Sequence, residues 1–204
     1  MTTATQKPRV AFQGEHGAFS EEAALKLLGE HIELVPRRTF ADLYDSLDSG
    51  LADYILAPVE NSIAGVVQPS VDLLQTKSLN ILNEIQINIE QHLIGCPGAT
   101  LDTIQTVQSH PTALAQCSRF FETHPQLKCI VADDTAGSVA EVIRRRDPKR
   151  AAIAGQRAAD LYSATILRRN IQDHSENYTR FVLLSAPAEQ IPNSPTLLVK
   201  EHAS

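Results

Sequence analysis

Short apolar runs and helix-patterned segments alternate along the chain. RVAFQ (9–13) is a β-like run that ends in Gly14. The stretch after it, GAFSEEAALKLLGE, predicts a helix: Ser20 or the preceding glycine starts it, Glu21 and Glu22 lie in its first turn, and Gly29 stops it. IELVP (32–36) reads as the next strand, TFADLYDSLDSG (39–50) as a helix ended by Gly50, and DYILAPVE (53–60) as a buried strand. Strand and helix in turn at this spacing predict βαβ units and a mostly parallel sheet.

PSVDLLQTK (69–77) has a helical pattern. LNILNEIQINIEQHLIGC (79–96) then alternates over a long span, with Ile85, Ile87 and Ile89 pointing one way and Gln86, Asn88 and Glu90 the other. A strand of that length predicts a crossing from one lobe into a second. The pattern restarts: TIQTVQS as strand, PTALAQCSRFFETH as helix, LKCIVAD as strand, TAGSVAEVIRRR as helix, RAAIA as strand, GQRAADLYSA as helix, with TRFVLLS returning late. This predicts an α/β protein of two βαβ-type lobes with a cleft between them, where open α/β sheets bind ligands. The lobes are expected to comprise 8–86 plus 178–186 and 87–177, followed by a tail over 187–204.

Composition narrows the function. The 204 residues are 43% hydrophobic and 21% charged, ordinary for a globular chain of a size that buries a full core. Aromatics are 5% with no Trp, and the net charge is −6, so the basic field and stacking platforms of nucleic-acid binders are missing. The basic clump RRRDPKR (144–150) reads as solvated charge at a helix end. Three cysteines (Cys96, Cys117, Cys129) form no C-x-x-C pair, and seven histidines show no i, i+4 pairing, so neither a disulfide framework nor a metal site is predicted. MTTATQKPRV lacks a signal-peptide core and no apolar run reaches membrane-spanning length, which predicts a cytoplasmic protein without membrane partners.

Polar residues gather at the strand-to-helix junctions. G-E-H-G-A-F-S (14–20) opens onto a helix N-terminus whose N–H groups suit a carboxylate or phosphate, or is simply a turn and cap; it has neither a dinucleotide fingerprint nor a P-loop. P-V-E-N-S-I-A-G (58–65) presents Glu60, Asn61 and Ser62 at a strand's carboxyl end, either as ligand contacts or as an Asx-type cap. S-H-P-T-A-L-A-Q-C (109–117) supplies Ser109 and, further along its helix, Gln116; in A-D-D-T-A-G-S (132–138), Thr135 lies near a cap position. N-Y-T-R-F (177–181) puts Thr179, Arg180 and Phe181 at the mouth of an apolar strand, where an Arg is costly unless something anionic meets it.

The order and spacing of these segments resemble the catalytic domain of prephenate dehydratases, from about residue 9 to 186. The likeness rests on G-x-x-G-A-F-S-E-E-A-A (14–24), P-V-E-N-S-I-A-G (58–65), S-H-P-x-A-L-A-Q-C (109–117), D-T-A (134–136), A-A-I-A-x-x-x-A-A-x-L-Y (151–162), I-Q-D (171–173) and N-Y-T-R-F (177–181). The resemblance implies a fold like that of type II periplasmic binding proteins and conversion of prephenate to phenylpyruvate, carbon dioxide and water on the route to phenylalanine. It implies no metal or redox cofactor, since aromatisation of the substrate supplies the driving force, and it allows a homodimer or higher homo-oligomer. The barrier lies in the ring hydroxyl, a poor leaving group unless protonated or strongly hydrogen-bonded. By resemblance Thr179 is the essential residue at the departing oxygen, with Glu60 as its expected assistant. Asn61, Ser109 and Gln116 match positions for substrate handling, and Ser62 and Thr135 join them as polar neighbours.

By alternation Thr179 and Phe181 share a strand face and Arg180 points the other way. Arg180 is expected to meet a substrate carboxylate or support the site, and Phe181 to pack in the core or against the ring. Three readings compete: prephenate dehydratase; a relative that acts on arogenate or decarboxylates without aromatising; and a small-anion binding module. The last leaves T-R-F unexplained, and a non-aromatising decarboxylase has no need of Thr179. No motif here reports on arogenate. SPTLLVKEHAS (194–204) resembles the approach to an ACT regulatory domain, whose G-A-L-like and E-S-R-P-like motifs are missing from this sequence. Either the chain is naturally unregulated or it is a catalytic fragment of a longer protein; inhibition by phenylalanine is expected to be absent or greatly weakened, and a clear shift in activity or melting temperature at millimolar phenylalanine would overturn that expectation.

Overall fold

The structure is a computed structural model that describes residues 7–187; the expected tail lies, beyond Pro187, outside the described residues. The described residues divide into two compact units, one built from 7–13, Ser20–Ile87 and 178–187, the other from Gly14–Phe19 and Asn88–Asn177. In chain order the first unit supplies β1 (Arg9–Gln13), α1 (Phe19–Leu28), β2 (Glu33–Arg37), α2 (Phe40–Asp48), β3 (Tyr54–Asn61), β4 (Gly65–Val66), α3 (Gln68–Thr76) and β5 (Asn80–Asn88). Strands β2, β1 and β3 run parallel, as helical crossovers require. Each helix has a readable boundary. Gly29, at φ +78°, follows the end of α1, and Thr39 caps α2 by accepting the Asp42 N–H. The core of this unit joins Leu43, Tyr44 and Leu47 of α2 to Ala11, Ile55, Ala57 and Val59 of the sheet.

The second unit contains β6 (His92–Gly95), β7 (Thr106–Ser109), α4 (Pro111–Ala115), α5 (Ser118–Thr123), β8 (Lys128–Val131), α6 (Thr135–Arg145), β9 (Arg150–Ala154), α7 (Gln156–Leu161) and β10 (Thr165–Arg168). Its sheet order is β10-β6-β9-β7-β8, with β7 parallel to β8 and β9, and β6 antiparallel to β9 and β10. Leu93, Val107, Ala151 and Ile153 of the sheet pack with Ala113, Cys117 and Phe120 of the helical layer.

Strand β11 (Tyr178–Ser185) belongs to the first unit, where it lies between β3 and β5 and antiparallel to β3. It is buried on both faces: Val182 and Leu184 join the α2 core, and Phe181 and Leu183 are fully enclosed. Burial of each of these side chains stabilises the fold by roughly 1.5–3 kcal/mol. An apolar run here therefore belongs in the middle of a sheet.

Two predicted elements differ from what is observed. The long strand over 79–96 is two strands, because the ladder breaks after Asn88: the Ile89 N–H turns to the Asn177 carbonyl at 2.6 Å and the Gln91 N–H to Gln172 Oε1 at 3.0 Å. The helix over 111–124 is likewise two helices, interrupted at Gln116 and Cys117. The two-residue β4 and the strand β10 carry no strong alternation and were outside the predicted pattern.

The turn before α1 packs on α7. Gly17 sits at φ +91°, and a Cβ there would lie 2.9 Å from Ala158 Cα. The Tyr162 hydroxyl donates to the His16 carbonyl at 2.8 Å. Gly17→Ala is expected to destabilise the protein by about 3 kcal/mol, from backbone strain and overpacking together. Urea or thermal unfolding measures this, and a change below about 1 kcal/mol would mean that the turn repacks freely.

Candidate active site

Strand β3 ends in Pro58-Val59-Glu60-Asn61, and Pro58 has no N–H to give to the ladder. The register with β11 slips by one residue at this point: Leu56 pairs with Leu183, Ala57 with Val182 and Pro58 with Phe181, but Glu60 pairs with Arg180 and Asn61 with Thr179. This is a β-bulge with its extra residue on β3. Strict continuation would have set Glu60 opposite Thr179. The bulge instead brings Asn61 there, and turns Glu60 to the Arg180 side of the strands.

Asn61 Nδ2 donates to Thr179 Oγ1 at 3.0 Å and to the Tyr178 carbonyl at 3.1 Å. Its Oδ1 accepts the N–H groups of Ile63 at 3.0 Å and Ala64 at 2.8 Å, which fixes which end of the amide faces Thr179. Asn61 is thus both the Asx-type cap and the partner of Thr179. Both side chains are nearly enclosed, at 8% exposure. With a lone pair of Oγ1 engaged by Asn61, the Thr179 hydroxyl keeps its own proton to donate elsewhere. Ser62 braces the same corner, its Oγ accepting the Tyr178 N–H at 2.9 Å.

Glu60 is not the neighbour of Thr179. It is exposed and meets Arg180 at 3.3 Å, while the second arm of Arg180 meets Glu84 at 3.3 Å. Arg180 therefore has carboxylate partners within its own unit, and holds β3, β11 and β5 together at an exposed edge. Such pairs contribute about 0–1 kcal/mol each. Phe181, 1% exposed, is a core residue.

The second unit holds the other expected residues. Ser109, at the end of β7, is fully buried, and its hydroxyl donates to the Ile153 carbonyl at 2.7 Å. Its proton is therefore committed to tying β7 to β9. Thr135 is the first residue of α6, while Asp134 is the cap, accepting the Gly137 N–H at 2.6 Å. Gln116 terminates α4; its Oε1 accepts from Asn177 Nδ2 at 3.0 Å and its carbonyl accepts the Asp173 N–H at 2.7 Å.

Asn177 and Asp173 were not singled out from sequence as site residues, although both fall inside the family-like segments. Asn177 is fully buried. Burial raises the pKa of the Asp173 carboxyl, but hydrogen bonds from the Ser118 hydroxyl and the Ser118 and Arg119 amides, with the Arg119 charge, outweigh burial and leave the pKa below its ordinary value. Because the folded carboxyl titrates lower than the unfolded one, this stabilisation is complete above about pH 4 and is lost as pH falls through the folded value. Burial, with Asp173 and Cys129 adding, pushes the Cys117 thiol up to about 12, so it stays protonated and is no nucleophile at neutral pH.

The turn at 14–20, open to an anion-binding reading, is used for packing on α7, and Glu21 and Glu22 already offset the positive end of α1. Among the described residues no three His, Cys, Asp or Glu side chains gather as metal ligands, and no helix is long and apolar enough to cross a membrane.

Two mixed sheets with helices between their strands define an α/β protein. The prephenate dehydratase family model matches residues 10–189, and the chain belongs to that family. The bifunctional chorismate mutase/prephenate dehydratase of Escherichia coli K12 is 33% identical over 198 residues, covering 94% of this chain and 51% of that protein. Arogenate dehydratase 1 of Petunia hybrida is 39% identical over 181 residues, covering 87% of this chain and 42% of that protein. The solved prephenate dehydratase of Arthrobacter aurescens superposes with a TM-score of 0.80 at 28% identity, over 88% of this chain and 60% of that one. The chain spans about half the length of the curated relatives it matches.

Asn61→Ala is expected to cost on the order of 2 kcal/mol, by uncapping Ile63 and Ala64 and removing the β3–β11 side-chain bond. Thermal unfolding checks this; an unchanged melting temperature would show that the corner is held by other contacts.

Proposed function

We propose that the chain catalyses the decarboxylation and dehydration of prephenate to phenylpyruvate, a step toward phenylalanine. The observation that carries this reading is the Asn61–Thr179 bond, which leaves the Thr179 O–H as a donor at the position where the family resemblance puts the essential residue. As the carboxylate departs as carbon dioxide, its bonding pair enters the ring and the C–O bond at the opposite carbon breaks. Thr179 hydrogen-bonds the leaving oxygen, which departs as hydroxide and takes a proton from solvent to become water. A threonine hydroxyl is a weak acid, so its contribution is stabilisation of the developing hydroxide rather than full proton transfer.

The remaining residues take neutral roles. Gln116 with its Nε2 and Thr135 with its hydroxyl are assigned to substrate oxygens, while Ser109 and Ser62 hold the strand ends that carry the site. Glu60 and Arg180 act as a supporting ion pair, which replaces the assistance to Thr179 expected of Glu60. A cytoplasmic address and assembly as a homodimer or larger homo-oligomer go with the reading. Arogenate is the second candidate substrate, favoured by the 39% identity to a petunia arogenate dehydratase.

The test is turnover of purified protein with prephenate and with arogenate, following phenylpyruvate and phenylalanine. Thr179→Ala is expected to lower kcat by about 100-fold or more and Thr179→Ser by about tenfold or less, in line with loss of one transition-state donor. Asn61→Asp keeps the cap but offers Thr179 an acceptor, so it should lower kcat while KM changes little. Full activity of Thr179→Ala, or no turnover of either substrate, would sink the reading.

A further inference from the structure

The break between α4 and α5 is held open from a distance. The residue that precedes α5, Cys117, makes no side-chain cap. Asp173, 55 residues beyond Ser118, takes that place: Oδ2 accepts from the Ser118 N–H at 3.0 Å and the Ser118 hydroxyl at 2.6 Å, and Oδ1 accepts the Arg119 N–H at 2.9 Å. The same residue's N–H binds the Gln116 carbonyl at 2.7 Å, and Asn177, four residues on, holds the Gln116 side-chain oxygen at 3.0 Å.

Gln116 is therefore clamped at its backbone and at its acceptor atom by one short segment, while its Nε2 makes no hydrogen bond among the described residues. A continuous helix through 111–124 would bond the Gln116 carbonyl to its own next turn and carry the side chain round the helix. A carboxylate that satisfies three donors at the start of α5 removes the reason for the helix to continue.

We propose that Asp173 is a positioning residue for the reaction: by capping α5 across the break, it sets the backbone of Gln116 and, with Asn177, turns the Gln116 amide so that its N–H₂ end faces substrate oxygen. The inference rests on the assignment of Gln116 to substrate binding made above. Asp173 acts through Gln116 and touches no reacting atom.

A double-mutant cycle tests it, with Asp173→Asn and Gln116→Ala alone and together, and with Ser118→Ala repeating the cycle should Asp173→Asn fail to fold. Asp173→Asn is expected to lower kcat/KM by about tenfold, chiefly through KM, in the wild-type background, and by less than about twofold once Gln116 is Ala. Equal losses in both backgrounds would assign Asp173 a purely structural role. The loss of melting temperature should, in contrast, be the same in both. A second readout needs no turnover: in the unliganded protein, Asp173→Asn should shift the Gln116 side-chain N–H₂ resonances and speed amide exchange at Ser118 and Arg119, whereas Thr179→Ser should do neither. Absence of turnover in the wild type would overturn the functional reading, and unmoved Gln116 resonances would overturn this one.

Discussion

A register slip beside Pro58 in β3 sets which side chain faces Thr179. Pro58 cannot donate to β11, the ladder slips by one residue beside it, and everything beyond the slip changes face. Had Glu60 stood opposite Thr179, its carboxylate would have taken the threonine proton in a charge-assisted bond. With Asn61 there, an amide donor meets the oxygen instead and the proton remains available. The same slip brings Glu60 to Arg180, so that charges which would have disturbed a neutral site neutralise each other at an exposed edge.

Neutrality runs through the candidate residues of each unit. Thr179, Asn61, Gln116 and Thr135 carry no charge, and the charged groups nearby have partners in their own unit: Arg180 with Glu60 and Glu84, and Asp173 with Ser118 and the amides of α5. A leaving hydroxide is stabilised by a fixed donor that pays little reorganisation cost as charge develops, and fixing a donor takes acceptors and donors behind it. Asn61 is anchored by two backbone N–H groups and Gln116 by Asn177 and Asp173. These anchors are all amide N–H groups, placed where strand or helix geometry breaks.

Those breaks explain what was and was not legible along the chain. Regular periodicity located β1, α1, β2, α2, β3 and β9 to within a residue or two, because their apolar spacing is set by the face each buries. It ran on through 79–96 and 111–124, where apolar residues continue although the backbone does not. The interruption at Ile89–Gln91 depends on Asn177 and Gln172, and that at Gln116–Cys117 on Asp173, partners some fifty to ninety residues away that no local pattern reports. Asn61, Thr179 and Gln116 were readable as motif members. Glu60 was expected to assist Thr179 as a polar neighbour within the resembling segments, and the bulge that separates them depends on pairing with a particular strand.

The order of residues by itself determined an α/β protein with helix-linked parallel strands, a late buried strand headed by Thr-Arg-Phe, and membership of a dehydratase family through segments whose spacing is specific. The strands and helices follow from local periodicity, caps and turns, whose physics acts within a few residues, while the family rests on the resemblance of those segments. Only the tertiary structure decided that Asn61 and not Glu60 accompanies Thr179, that the Ser109 proton is spent on Ile153, and that Asp173 holds the end of a helix it does not belong to. Each of these is a hydrogen bond between distant parts of the chain, and its geometry exists only once strands have chosen their partners and register.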